Sequence, residues 1–295
     1  MVLLKAAVSS ALLYIVLSKA GVDKVYVLLK GINPFVFLAA VLMYITSVYV
    51  STLRWRLLLL EGFRPGKLFP LCLIGSFFST FLPGLVGGDA VKAYYLYKET
   101  GKMGQTIASV FMDRYIGYVA LLTIGLLAFP FGFPYFKGSW LEWTVPLIAL
   151  VFLLGSVVVF GLRLGSRFRP VKEIYDYFKV YKGKKRLIYK AFGFSLIVQL
   201  IIMGSVYVLA LGLGLGISPL VFLMFCPIIT SVSMLPVSIS GIGLREASFV
   251  LLLGFVGIAP DTATALSFAW FLSIAAGGLP GLVLYVRYKG GRIQG

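Results

Sequence analysis

FLPGLVGGDAVKAYY, from Phe81 to Tyr95, sets a proline, three glycines, an aspartate and a lysine inside a strongly apolar region. A lipid bilayer tolerates interrupted backbone and charge only where protein or a water-filled cavity surrounds them. A second stretch, MLPVSISGIGLREAS from Met234 to Ser248, is built the same way. With a shift of 153 residues, Leu82, Pro83, Gly88 and Lys92 fall on Leu235, Pro236, Gly241 and Arg245. The constant shift suggests two related halves.

Around these stretches the chain is too apolar for a water-soluble domain. Of its 295 residues 60% are hydrophobic and 13% charged, with a mean hydropathy of +1.00. A soluble protein carries about a quarter charged residues. Several apolar segments approach the roughly 20 residues that cross a hydrocarbon core. The fold class is therefore all-α: a polytopic membrane protein in one integral domain, residues 1–295. The net charge of +17 does not point to nucleic acid, because the basic residues gather between hydrophobic segments. There they orient a membrane protein and attract anionic lipid. Cys72 and Cys226 lie in apolar segments and read as packing thiols, and the chain has no histidine. No metal site, cofactor or histidine-based catalysis is expected.

In chain order, a first span covers about Val2 to Val22, although Ala6–Ser18 between two lysines also fits a signal-peptide core. A short interfacial helix closed by Pro34 follows, then spans at Pro34–Leu53, Gln105–Phe129, Trp143–Leu162, Lys190–Leu211 and Thr262–Val286. The segment Pro130–Glu142 reads as an aromatic outer loop. Ten basic residues between Arg163 and Lys190 mark a large cytoplasmic loop, with a short surface helix at Glu173–Val180. Positive loops place both termini on the cytoplasmic side of the cell membrane.

The loops flanking Leu68–Val91 are both basic, so this segment enters and leaves on the cytoplasmic side. Pro219–Ile258 lies between nearly uncharged turns and enters and leaves from outside. The expectation is six spans plus two re-entrant helical hairpins opening to opposite faces, as an inverted repeat with halves at about 1–133 and 143–286. Secondary transporters use such a plan, with sites where broken helices meet at mid-depth. The alternative is an ordinary kinked span at each stretch, giving seven or eight helices.

Six charges lie within or beside apolar segments: Asp89, Lys92, Asp113, Arg114, Arg245 and Glu246. Each costs about 2.5–3.5 kcal/mol or more on a lipid-facing helix, so they face inward and pair. Broken helices expose backbone N–H groups with partial positive charge, and Gly87, Gly88, Gly241 and Gly243 let an anion approach. With Lys92 and Arg245 these groups make a candidate phosphate site. Structural roles stand beside this: Asp89 as a helix N-cap, Asp113-Arg114 as a buried pair, Arg245-Glu246 as mutual neutralisation. The serines of both stretches equally suit broken backbone.

The runs LPGLVGGDAVKAYYLYK and LPVSISGIGLREA, with Asp113-Arg114 between them, resemble the transmembrane region of lysylphosphatidylglycerol synthases, from about Val2 to Tyr288. This group of flippase-like proteins includes archaeal members linked to polyprenyl-phosphate glycans. The resemblance implies translocation of lipids with anionic or phosphate-linked headgroups. Lys92 stands where members commonly have arginine, which keeps the charge and loses the bidentate fork. The soluble aminoacyl-transferase domain of full-length synthases is not in these residues, so synthase activity is not expected of them. Lipid translocation is therefore the expected function, with membrane lipids and anionic headgroups as partners. A membrane-embedded lipid-phosphate enzyme, such as a glycosyltransferase, and a small-solute carrier are the alternatives.

Overall fold

The computed structural model describes residues 2–59, 62–81, 87–139, 141–163, 169–235, 237–238 and 240–287. Of the paired motif positions, Leu82, Pro83 and Pro236 lie outside the described residues, as do Arg167, Lys289 and Arg292. Among the described residues the secondary structure is entirely helical: α1 Val2–Ala20, α2 Val22–Gly31, α3 Pro34–Leu58, α4 Pro65–Phe81, α5 Gly87–Thr100, α6 Met103–Phe136, α7 Thr144–Gly161, α8 Arg169–Lys182, α9 Lys185–Gly212, α10 Pro219–Ser233, α11 Leu244–Gly254 and α12 Pro260–Arg287.

Five helices, α3, α6, α7, α9 and α12, are long and apolar enough to cross a bilayer. This is a multi-pass membrane protein. The sixth expected span is α1, whose apolar part Ala7–Ala20 is shorter. Asn33 starts α3 by accepting the Phe35 N–H at 2.9 Å, and Pro34 occupies the first turn, where its missing N–H costs nothing. α7 is apolar on every side and buries only Val145, as suits a lipid-facing helix.

Three expected boundaries move by five residues or more, among them the start of α9, at Lys185 instead of Lys190. The loop expected over Pro130–Glu142 is mostly helix, because α6 runs through Pro130 and Pro134 to Phe136. Its last turns are held from outside: Gly125 lies against Pro227 and Gly132 against the Met224 thioether. The span expected to stop at Leu53 continues to Leu58. There the Tyr177 and Tyr181 hydroxyls of α8 donate to the Leu58 carbonyl, satisfying an acceptor the helix end leaves open. Burial pushes the Tyr181 hydroxyl pKa up, so it stays a donor.

The two broken stretches form helix pairs. α4, α5, α10 and α11 have 17, 14, 15 and 11 residues. At 1.5 Å per residue they reach about 17–25 Å, less than the roughly 30 Å hydrocarbon core. Gly75 of α4 faces Gly88 and Lys92 of α5, and Ser79 also touches Gly88, so the arms are antiparallel. A Cβ at Gly88 would overlap the Gly75 carbonyl oxygen; only glycine permits this approach. α10 and α11 also run antiparallel: Ser233 touches Gly241, and Phe225 and Phe255 both pack on the Phe136 ring at 5.2 Å.

The pairs open toward opposite ends of the bundle. α4 begins and α5 ends beside the α3 C-terminus and α6 N-terminus, where Trp55, Leu59, Leu68, Leu96 and Val110 share a cluster. α10 begins and α11 ends at the other end, where Gly212 of α9 meets Val36 and Met224 meets Gly132. Their inner ends approach neighbouring turns of α6: Asp89 bonds Arg114, and Ser231 bonds Tyr118. α3 and α9 start at Pro34 and Lys185, α4 and α10 at Pro65 and Pro219, α6 and α12 at Met103 and Pro260. These separations, 151, 154 and 157 residues, bracket the 153-residue shift of the motifs.

Candidate functional site

Adjacent residues on a helix point about 100° apart, so Asp113 and Arg114 of α6 go to different partners rather than to each other. Asp113 accepts from Arg54 Nε at 2.8 Å and from Lys92 Nζ at 3.4 Å. The three residues are 3%, 5% and 6% exposed. Arg54 also donates to Ser195 at 3.0 Å and Ser51 at 3.2 Å. The Lys92 ammonium lies 4.0 Å from the centre of the Trp55 ring, a cation–π contact strengthened by desolvation. Trp55 is itself fixed by an indole N–H bond to Ser109.

Arg114 forms a fork on Asp89, with bonds of 2.6 and 3.0 Å. Its side chain is 58% exposed and that of Asp89 12%. Asp89 sits in the first turn of α5, where a carboxylate also favours the helix dipole. Its oxygens serve Arg114 across the fold, and it is the third residue of α5 rather than the residue before its first turn.

These groups surround a cavity of about 290 Å³. α3 presents Tyr44, Ser47, Ser51 and Arg54 along one face; α4 presents Cys72, Gly75, Ser76 and Ser79 along another. Both sets follow the three- and four-residue spacing of a helical stripe. α6 contributes Asp113, Arg114, Gly117 and Tyr118, α9 contributes Gln199, and α10 contributes Thr230, with Met234 just past its end. Both helix pairs thus reach the same cavity, the first with Asp89 and Lys92 and the second with the end of α10. Chemically it is a polar, cation-rich chamber inside an apolar bundle, suited to holding an anion by charge and hydroxyl hydrogen bonds.

Arg245 and Glu246 form a separate cluster. Arg245 Nε bonds Glu246 at 3.0 Å and Ser267 of α12 at 3.2 Å, and its guanidinium lies 4.7 Å from the Phe271 ring centre. Glu246 accepts the Gly243 N–H at 2.7 Å and so caps α11. Gly241 and Gly243 adopt φ of 77° and 85°, which glycine takes without strain. Gly243 also lies against the α1 backbone at Ser9. Neither Arg245 nor Glu246 is among the described residues lining the cavity. The structure therefore brings together Asp89, Lys92, Asp113 and Arg114, and leaves the second cation on its own neighbours. Gly87 starts α5, and Gly88 serves helix contact.

Arg54 was not among the six charges singled out by sequence. The signal that finds it is the polar stripe Ser47, Ser51, Arg54 on an otherwise apolar helix. Among the described residues no group of three or more His, Cys, Asp or Glu could hold a metal.

The family described as Lysylphosphatidylglycerol synthase TM region matches residues 2–280. A UPF0104 membrane protein of Methanothermobacter thermautotrophicus is 24% identical over 278 residues, covering 82% of this chain and 79% of that protein. Another, from Pyrococcus horikoshii, is 30% identical over 125 residues, 40% of this chain and 37% of that protein's length. With the match running through both helix pairs and every cavity-lining element, the chain belongs to the lysylphosphatidylglycerol synthase transmembrane-region family.

Proposed function

We propose that this protein translocates lipids with anionic or phosphate-linked headgroups across the cell membrane, by admitting the headgroup to the cavity while the chains stay in lipid. The observation that carries this is the convergence of Arg54, Lys92 and Arg114 on one cavity approached by both helix pairs. Cations so placed are costly unless they serve an anion or an ion path. The opposite opening of the two pairs and the repeated helix spacing support an inverted repeat with re-entrant hairpins, the plan on which alternating access is built. The basic end of the bundle, with α8, is then cytoplasmic, together with both termini. Family membership supports lipid as the substrate. The enzyme alternative draws less support, because both cavity carboxylates, Asp89 and Asp113, are held by cations.

The test is translocation of chain-labelled anionic lipid by purified protein in liposomes. Arg114→Gln removes the exposed fork while keeping the stem, and should slow anionic lipid about ten- to a hundredfold, the worth of a charge-assisted bond. Parent protein that moves no lipid, or an Arg114→Gln protein as fast as the parent, refutes the proposal.

A further inference from the structure

The inner part of the cavity holds two cations against one acid. Arg54 and Lys92 share Asp113, and all three are more than nine-tenths buried. Arg54 uses its other nitrogens on Ser51 and Ser195. Among the described residues the three N–H donors of Lys92 have one hydrogen-bond acceptor, Asp113 at 3.4 Å, and one ring face. The corresponding position of the second motif is balanced: Arg245 has Glu246 to itself, with Ser267 bonded to both. Arg114 and Asp89 also cancel one to one. Among its described lining residues the cavity therefore carries one positive charge in excess, shared by Arg54 and Lys92, with Lys92 the one that has N–H donors to spare. A buried excess of charge is unfavourable, and a ligand of matching charge would offset it.

Building on the headgroup reading above, we propose that the cavity is matched to a single negative charge: a phosphodiester headgroup of net charge −1, seated against Lys92. A phosphate monoester carries about −1.5 to −2 at pH 7, which would leave excess negative charge in a low-dielectric site. A zwitterionic or uncharged headgroup would leave the excess unmatched. The volume agrees, since about 290 Å³ lies at the small end of ligand pockets, roughly 300–1,000 Å³. It has room for a compact headgroup. The same phosphodiester can arrive on a lipid or as a water-soluble glycerophosphodiester, and the experiment must separate these.

Purified protein in phosphatidylcholine vesicles is given chain-labelled phosphatidylglycerol, phosphatidic acid or phosphatidylcholine, and transbilayer rates are compared. At pH 8 phosphatidylglycerol should move about tenfold or more faster than either of the others. At pH 5 phosphatidic acid, its second proton regained below a pKa of about 6, should approach phosphatidylglycerol. Lys92→Gln should bring the ratio of phosphatidylglycerol to phosphatidylcholine rates to about one, and Lys92→Arg should keep the preference. A ratio is insensitive to partial loss of folded protein, and the parent protein's three rates test the match without any variant. Equal rates for all three lipids, or phosphatidic acid leading at pH 8, overturn the charge match and leave translocation standing. Uptake of glycerophosphoglycerol without lipid movement upholds the charge match and overturns the lipid source. Movement of neither overturns both.

Discussion

At Asp113 one carboxylate holds two cations from two other helices, so its loss is unlike the loss of an exposed ion pair. Asp113→Asn leaves Arg54 and Lys92 buried against a neutral amide. Removing one member of a buried charge cluster costs about 3–5 kcal/mol. Asp89→Asn acts on a pair whose arginine is exposed, where about 0–1 kcal/mol is usual. Thermal unfolding in detergent should place Asp113→Asn well below Asp89→Asn; equal losses would mean that burial is not what makes Asp113 matter. Sequence alone gave four of the cavity's charged residues, because charge in an apolar segment must face inward. It did not give their partners. Asp113 and Arg114 are neighbours in sequence and diverge around the helix. Arg54 lay just past an expected helix end that the tyrosines of α8 extend by a turn and a half.

α4 and α5 approach backbone to backbone at Gly75 and Gly88, leaving no room for a Cβ at Gly88. Gly88→Ala must push the arms apart and shift Lys92, which follows one turn later and touches Gly75 itself. Overpacking of this kind costs about 1–3 kcal/mol. Gly66→Ala in the first turn of α4 meets nothing within 4 Å and should cost little or stabilise slightly. Unfolding temperatures that fall equally for both would show that the arms are not in rigid contact. The existence of the helices was legible from apolar runs, and most ends fell within a few residues of the expected ones. The largest departure is α6. Pro130 looked like a terminator, but α10 packs along these turns through Pro227 and Met224 and supplies what the local sequence lacks.

For the whole molecule, the opposite opening of the two pairs fixes which loops share a side. With Cys72 and Cys226 replaced, single cysteines at Arg64 and Lys102 should react from the cytoplasmic side, and those at Gly216 and Pro260 from the other. Labelling from opposite sides within either pair would sink the re-entrant arrangement. What the sequence offers at this level is the basic loops and the 153-residue shift, from which the sidedness is an expectation that the labelling tests. Whether the two motif cations converge was not legible: Arg245 pairs with its own neighbour, Glu246, and turns to α12.

α6 carries a further consequence. It has 34 residues, about 51 Å at 1.5 Å per residue, against a hydrocarbon thickness of about 30 Å. Tilt cannot absorb this, since even 40°, the upper end of the usual range, leaves the helix about 39 Å tall. The excess must project beyond the lipid or thicken the sheet of chains around it, at fractions of a kcal/mol per Å. Both helix pairs lean on this one rod at Arg114 and Tyr118. A membrane that changes its tilt therefore acts on both pairs through these contacts, and the acyl-chain length of the host bilayer is expected to be a mechanical input to the cavity.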